Sequence, residues 1–216
     1  MIAPSLTYSH TLAKRLALLA LLCLPPFSSA LAGPLEDGIA AYEKGDYLSA
    51  HSSWLPLAEQ GNVLAQANLS VLYRNGEGVP KNLNEHVKWC MKAAEQGFRD
   101  SQYNLGVAYE NGQGVGQDYA KAAKWYLKAA DQDDTAAQNN LGVLYESGKG
   151  VRMNKVLALK WYMIAAQRGN ASDGSAITLL AVQNKAYLKK ELARPDIASA
   201  EYMARLWRPM SGMSQQ

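Results

Sequence analysis

Three kinds of residue in this 216-residue chain are of types that can do chemistry. Cys90 is a thiol able to act as nucleophile or metal ligand, His51 and His86 are imidazoles able to move protons, and Glu110 and Glu146 are carboxylates that can form an acid–base pair if they meet. None has a partner at a catalytic spacing. Cys90 stands at the position that Tyr126 and Tyr162 hold further along the chain, a place for a small core residue. The two histidines are 35 residues apart with no carboxylate at ligand or triad spacing, and read as surface or helix-face residues. Gly-x-Ser-x-Gly, Ser-x-x-Lys and His-Glu-x-x-His are missing, and the Gly-x-Gly segments join helix to helix rather than strand to helix, which leaves phosphate binding unsupported. The expectation is a chain that is not an enzyme, with no metal and no cofactor.

The elements that carry these residues repeat. Trp89, Trp125 and Trp161 are 36 residues apart, as are Leu69, Leu105 and Leu141, and Tyr73, Tyr109 and Tyr145. Gly76, Gly112 and Gly148 keep the same interval, as do Gly78, Gly114 and Gly150 and Val79, Val115 and Val151. A fixed period of this length is the signature of a stacked array of supersecondary units. Within one copy, Leu105, Gly106 and Tyr109 share one side of a helix A, a glycine loop follows, and a helix B begins at Asn82, Asp118 or Asn154, residues suited to accept from the free amides at a helix start. Glu85, three residues after Asn82, suggests a capping box. Gly61, Gly97 and Gly169 close helix B in a left-handed conformation, and Asp133 stands at that place in one copy, so Asp133→Gly is expected to stabilise by up to about 1 kcal/mol.

The reading is therefore all-α: a short hairpin over 33–61, three repeats over 62–97, 98–133 and 134–169, and a C-terminal helical cap over 170–210 with a tail at 211–216. Ser175 to Leu192 and Pro195 to Trp207 read as the capping pair, which an open array needs with a polar outer face.

If helix A buries Leu105, Gly106 and Tyr109, its other side carries Tyr103, Asn104, Val107 and Asn111, with Glu110 at the margin. The equivalents are Asn68, Val71 and Arg74 in the preceding copy and Asn139, Asn140, Val143 and Glu146 in the following one. These twelve residues are the candidate partner-binding set. Asn68, Asn104 and Asn140 form a row of amides that can either clasp a peptide backbone or bond the neighbouring hairpin. Gln66, Gln102 and Gln138 read as structural and the tryptophans as core. Tyr103, expected to be exposed, is the strongest single contact candidate.

The pattern Ala-Gln-x-Asn-Leu-Gly-x-x-Tyr-x-x-Gly-x-Gly-Val at Ala137 to Val151, followed by Trp-Tyr-x-x-Ala-Ala at Trp161 to Ala166, resembles the Sel-one-like repeat family, relatives of tetratricopeptide repeats. The resemblance implies a right-handed α-solenoid of helical hairpins, a scaffold or adaptor that holds a protein or peptide along its concave side, without catalysis.

Composition sets the compartment and the partners. At 48% hydrophobic, 19% charged and a net charge of +3, the chain is neither disordered nor built for nucleic acid. His10, Lys14 and Arg15 precede an apolar run from Leu16 to Leu24, then Pro25 and Pro26 and a small-residue site ending at Ala32, which reads as a cleavable signal peptide over 1–32. The run is too short for a permanent membrane anchor. Cleavage leaves a net charge of +1 and Cys90 as the lone cysteine. The expectation is a periplasmic or secreted scaffold with a protein or peptide partner. Glycan or cell-wall fragments and self-association are the alternatives.

Overall fold

The computed structural model describes residues 33–168 and 176–209, which form helices and the turns between them. In chain order the helices are α1 (Gly33–Glu43), α2 (Tyr47–Glu59), α3 (Val63–Asn75), α4 (Leu83–Glu95), α5 (Arg99–Asn111), α6 (Tyr119–Ala130), α7 (Thr135–Ser147), α8 (Lys155–Arg168), α9 (Ala176–Glu191) and α10 (Arg194–Leu206). They fall into two compact units, Met1–Lys92 and Ala93–Gln216, with α4 beginning in the first and ending in the second. The signal peptide expected over 1–32, the helix end at Gly169, the start of the cap at Ser175 and the tail at 211–216 lie outside the described residues.

The first unit is organised around Trp54. Its ring lies against Gly38 of α1, where any Cβ would collide with the indole, and its Nε1 donates to the Leu35 carbonyl at 3.3 Å. Ala50, Ala58, Ala65, Leu69, Leu72 and Trp89 complete the core. The turn from α1 to α2 is short because Gly45 takes φ +80°, and Asp46 then caps α2 by accepting from the Ser49 amide at 3.2 Å.

In the second unit α5 pairs with α6 and α7 with α8, while α9 packs on α7 and α8, and α10 on α8. The helix B starts are capped as their residue types dictate. Asn82 Oδ1 accepts from the amides of Asn84 and Glu85, Asp118 Oδ1 from Lys121, and Asn154 Oδ1 from Val156 and Leu157. The expected capping box at Glu85 is not formed. The Asn82 amide donates to the Tyr73 carbonyl at 2.8 Å, which leaves nothing for the Glu85 carboxylate to accept there, and Glu85 pairs with Lys88 instead.

The capping pair has the expected helices, with Pro195 in the first turn of α10. After α10, Trp207 meets Trp161 edge-on at 6.0 Å. The exposed surface of the pair is mixed: Leu179, Val182, Tyr187, Tyr202 and Leu206 stand among Gln183, Lys189, Lys190, Asp196, Glu201 and Arg205.

Asp133 is, among the described residues, the non-glycine with positive φ, at +68°, beside +96° for Gly61 and +91° for Gly97. Its Oδ1 also accepts from Gln138 Nε2 at 3.2 Å, a bond that glycine cannot make. Asp133→Gly is therefore expected to be near neutral, the strain relieved offsetting the bond lost. Asp133→Asn keeps an acceptor in a residue that tolerates this conformation, and should raise stability by about 0.5 kcal/mol. Thermal melts of both variants test this, and a gain for glycine alone would mean that the Gln138 bond contributes nothing.

Candidate functional site

The second unit is held by a motif repeated in both its hairpins. Gly106 of α5 faces Tyr126 of α6, and Gly142 of α7 faces Tyr162 of α8. A Cβ on either glycine would lie 2.5 or 2.6 Å from a ring carbon. With the ring seated against the helix, the Tyr126 hydroxyl donates to Glu110 Oε2 at 2.5 Å and the Tyr162 hydroxyl to Glu146 Oε2 at 2.7 Å. Burial, and then the adjacent carboxylate, push both phenols well above their ordinary pKa. The Asn140 amide of α7 acts on the same hydroxyl in the opposite sense, favouring the phenolate. Glu110 and Glu146 are thereby committed to separate tyrosines and are not an acid–base pair.

A second link recurs at each copy. Gln66 Nε2 donates to the Ala58 carbonyl at 2.9 Å, Gln102 to Ala94 at 3.1 Å and Gln138 to Ala130 at 3.3 Å. Each amide is a second donor to a carbonyl that already accepts from the backbone N–H of the closing residue, Gly61, Gly97 or Asp133. These glutamines are structural, as expected.

The candidate residues divide by burial. On α5, Asn104, Val107 and Glu110 are half-buried and Asn111 is exposed, its amide folded back onto the Val107 carbonyl at 3.1 Å. On α7, Val143 and Glu146 are half-buried. Tyr103 is not the exposed aromatic expected: it is only 5% accessible, its ring 5.8 Å from that of Tyr126. Asn139 and Asn140 are also buried, Asn139 accepting from Asn184 of α9 at 3.3 Å. The helical wheel places these three opposite helix B, but Tyr103 lies against Tyr126 of its own helix B, and Asn139 meets α9. On α3, in the first unit, Asn68, Val71 and Arg74 are half-buried.

The first full repeat departs from the tyrosine motif at three positions together. Ser70, Arg74 and Cys90 stand where the later copies have glycine, glutamate and tyrosine. Cys90 is buried, as expected of a core residue. His86 is not the surface residue expected. It is 3% accessible, and its Nδ1 lies 2.9 Å from the Ser70 carbonyl, which can only accept, so Nδ1 carries the proton. Burial lowers its pKa to about 4, against a raising contribution from the Ser70 bond. Where Ala122 and Ala158 leave room for a tyrosine ring in the later copies, His86 supplies a ring from one turn earlier. The tryptophans are core at Trp89 and Trp161. Trp125 is half-exposed with the Lys128 ammonium 4.2 Å from its ring centre.

The Gly–Tyr–Glu motif is a set of residues that sequence reasoning missed. Its signal was available: the glycine, glutamate and tyrosine recur together in two copies and are replaced together in the third.

Hairpins repeating every 36 residues, cross-linked by side chains and leaving one face of helix A partly open, define an α-solenoid. The Sel1 repeat model matches three consecutive segments, residues 63–98, 99–134 and 135–170, and the chain belongs to the Sel1 repeat family. It is similar to a Sel1 repeat protein from Oxalobacter formigenes, with 32% identity and a TM-score of 0.60 over 79% of this chain and 74% of that one. It is also similar to c5321, a protective antigen with an SLR fold from uropathogenic Escherichia coli, with 29% identity and a TM-score of 0.53 over 79% of this chain and 44% of that one. No curated protein matches the chain. Sel1 repeat proteins are in general non-catalytic scaffolds for protein interaction.

Two outcomes follow from the packing. Gly106→Ala should cost about 1–3 kcal/mol, because Tyr126 must give way, while Gly106→Ser combined with Tyr126→Cys, the pairing native to Ser70 and Cys90, should cost less than the sum of the single changes. Additive unfolding energies in a double-mutant cycle would show that ring and glycine are not coupled. For His86, the folded pKa lies below the unfolded value of 6.5, so its contribution is full above pH 6.5 and is lost as pH falls towards 4, about 3 kcal/mol in all. Asp134, raised to about 6 by burial, gains stability on acidification and opposes this, so the test is the His86 resonance itself. An NMR titration midpoint near 6.5 would show that the imidazole is solvated.

Proposed function

We propose that the chain is an exported, non-catalytic scaffold that binds a protein or peptide partner on the open faces of α5 and α7. The observation that carries this reading is the strip left half-buried by the stacking: Asn104, Val107 and Glu110 on α5 with Val143 and Glu146 on α7. It combines apolar contact, an amide and carboxylate oxygens, the mixture that a peptide backbone and its side chains can satisfy. The signal-like segment over residues 1–32 supports export, and the Sel1 repeat family supports a protein partner. Burial of Tyr103 removes the stacking platform on which a glycan-binding reading rested.

Affinity is expected to come from these contacts more than from net charge, so binding should weaken little between low and moderate salt. The experiment is affinity capture from envelope extract with the native chain and with an Asn104→Ala, Val107→Asp, Val143→Asp variant, circular dichroism confirming that the variant folds. A protein captured by the first and lost by the second is the expected result. Equal capture by both would overturn the assignment of this face.

A further inference from the structure

Where α8 packs on α10 there is a cleft of about 370 Å³, a volume in the range of small-ligand pockets. Its floor is apolar. Met163 and Ile164 of α8 and Ala204 of α10 are buried, and Trp207 adds a half-buried ring, edge-on to Trp161. Its rim is polar and unevenly charged: Glu201, Arg205 and Arg208 line it with Gln167, and all four are exposed. Glu201 is already neutralised by the Lys189 ammonium at 2.7 Å. Neither arginine is paired with a carboxylate among the described residues. Arg205 lies 5.8 Å from the centre of the Tyr202 ring, and Arg208 donates from Nη1 to the Arg205 and Trp207 carbonyls. An apolar floor beneath two guanidinium groups without a counter-charge matches a ligand with an apolar body and an anionic end.

We propose that this cleft binds a small amphipathic carboxylate, its apolar part against Met163, Ile164 and Trp207 and its carboxylate on Arg205 and Arg208. Guanidinium groups suit that end because their forked N–H donors match the two oxygens of a carboxylate. The apolar part supplies most of the affinity, each buried methylene being worth about fourfold in binding. The site is built by α8 and α10, not by the open faces of α5 and α7, so it stands or falls separately from the scaffold reading. The C-terminal residue of a peptide and an alkyl acid both carry this chemistry.

Isothermal titration calorimetry of the full chain with N-acetyl-leucine, standing for a peptide C-terminal residue, and with octanoate, standing for an alkyl acid, tests the proposal and separates the two sources. At least one should bind saturably, with a dissociation constant of about 0.1–1 mM. N-acetyl-leucinamide lacks the carboxylate, N-acetylglycine and butanoate lack the apolar body, and each should bind at least tenfold more weakly than its parent. Arg205→Gln should weaken binding at least tenfold. Lys190→Gln, which removes an exposed cation of α9 outside the cleft, should leave it unchanged. Both positions are exposed, and melting curves establish that the variants remain folded. No saturable binding of either acid, equal binding of the amide or of the short acids, indifference to Arg205→Gln, or an equal loss in Lys190→Gln would each overturn the assignment.

Discussion

A tyrosine ring lying on a glycine backbone is the contact on which the second unit depends. Gly106 and Gly142 remove the atoms that would hold α5 from α6 and α7 from α8, and the rings of Tyr126 and Tyr162 occupy the space. Close approach then places each phenol against a carboxylate in the last turn of the facing helix, at 2.5 and 2.7 Å. A buried hydroxyl without such a partner would cost free energy, so packing and hydrogen bonding are not independent here.

That coupling explains why the first full repeat changes at several positions at once. Cys90 leaves a tyrosine-sized deficit, Ser70 can then replace a glycine, and the His86 imidazole fills from a neighbouring turn by bonding the Ser70 carbonyl at 2.9 Å. The solution keeps the hairpin closed without a phenol. It exchanges a phenol–carboxylate bond for one resting on a neutral imidazole.

The fold was legible in the sequence because its causes are local. Loop glycines, Asn and Asp caps and alternating large and small residues act within one repeat, and the period of 36 displays them three times. The candidate face was less legible because its limits are set between repeats. A helical wheel distinguishes the side towards helix B from the opposite side, but Tyr103 and Asn139 lie on flanks that a neighbouring element covers. His86 was misread for a different reason: its partner is a backbone carbonyl of the facing helix in the same repeat, that of Ser70, which no residue type reveals. Glu85 illustrates the reverse error, a locally correct motif displaced because a backbone carbonyl had taken the amide that it needed.

The amides of Asn82, Asp118 and Asn154 donate to the carbonyls of Tyr73, Tyr109 and Tyr145 at 2.8, 2.9 and 2.8 Å, so every glycine loop is tied shut at both ends by the same bond. Such a loop measures length. A residue added within it would break the tie or rotate the following helix, and in a stack that rotation would pass to every later copy. The connecting segments are therefore the rigid gauge of this protein, and sequence can vary freely only on the helix faces they hold in register. In most globular domains the division is the other way round, with helices conserved in length and loops left to drift.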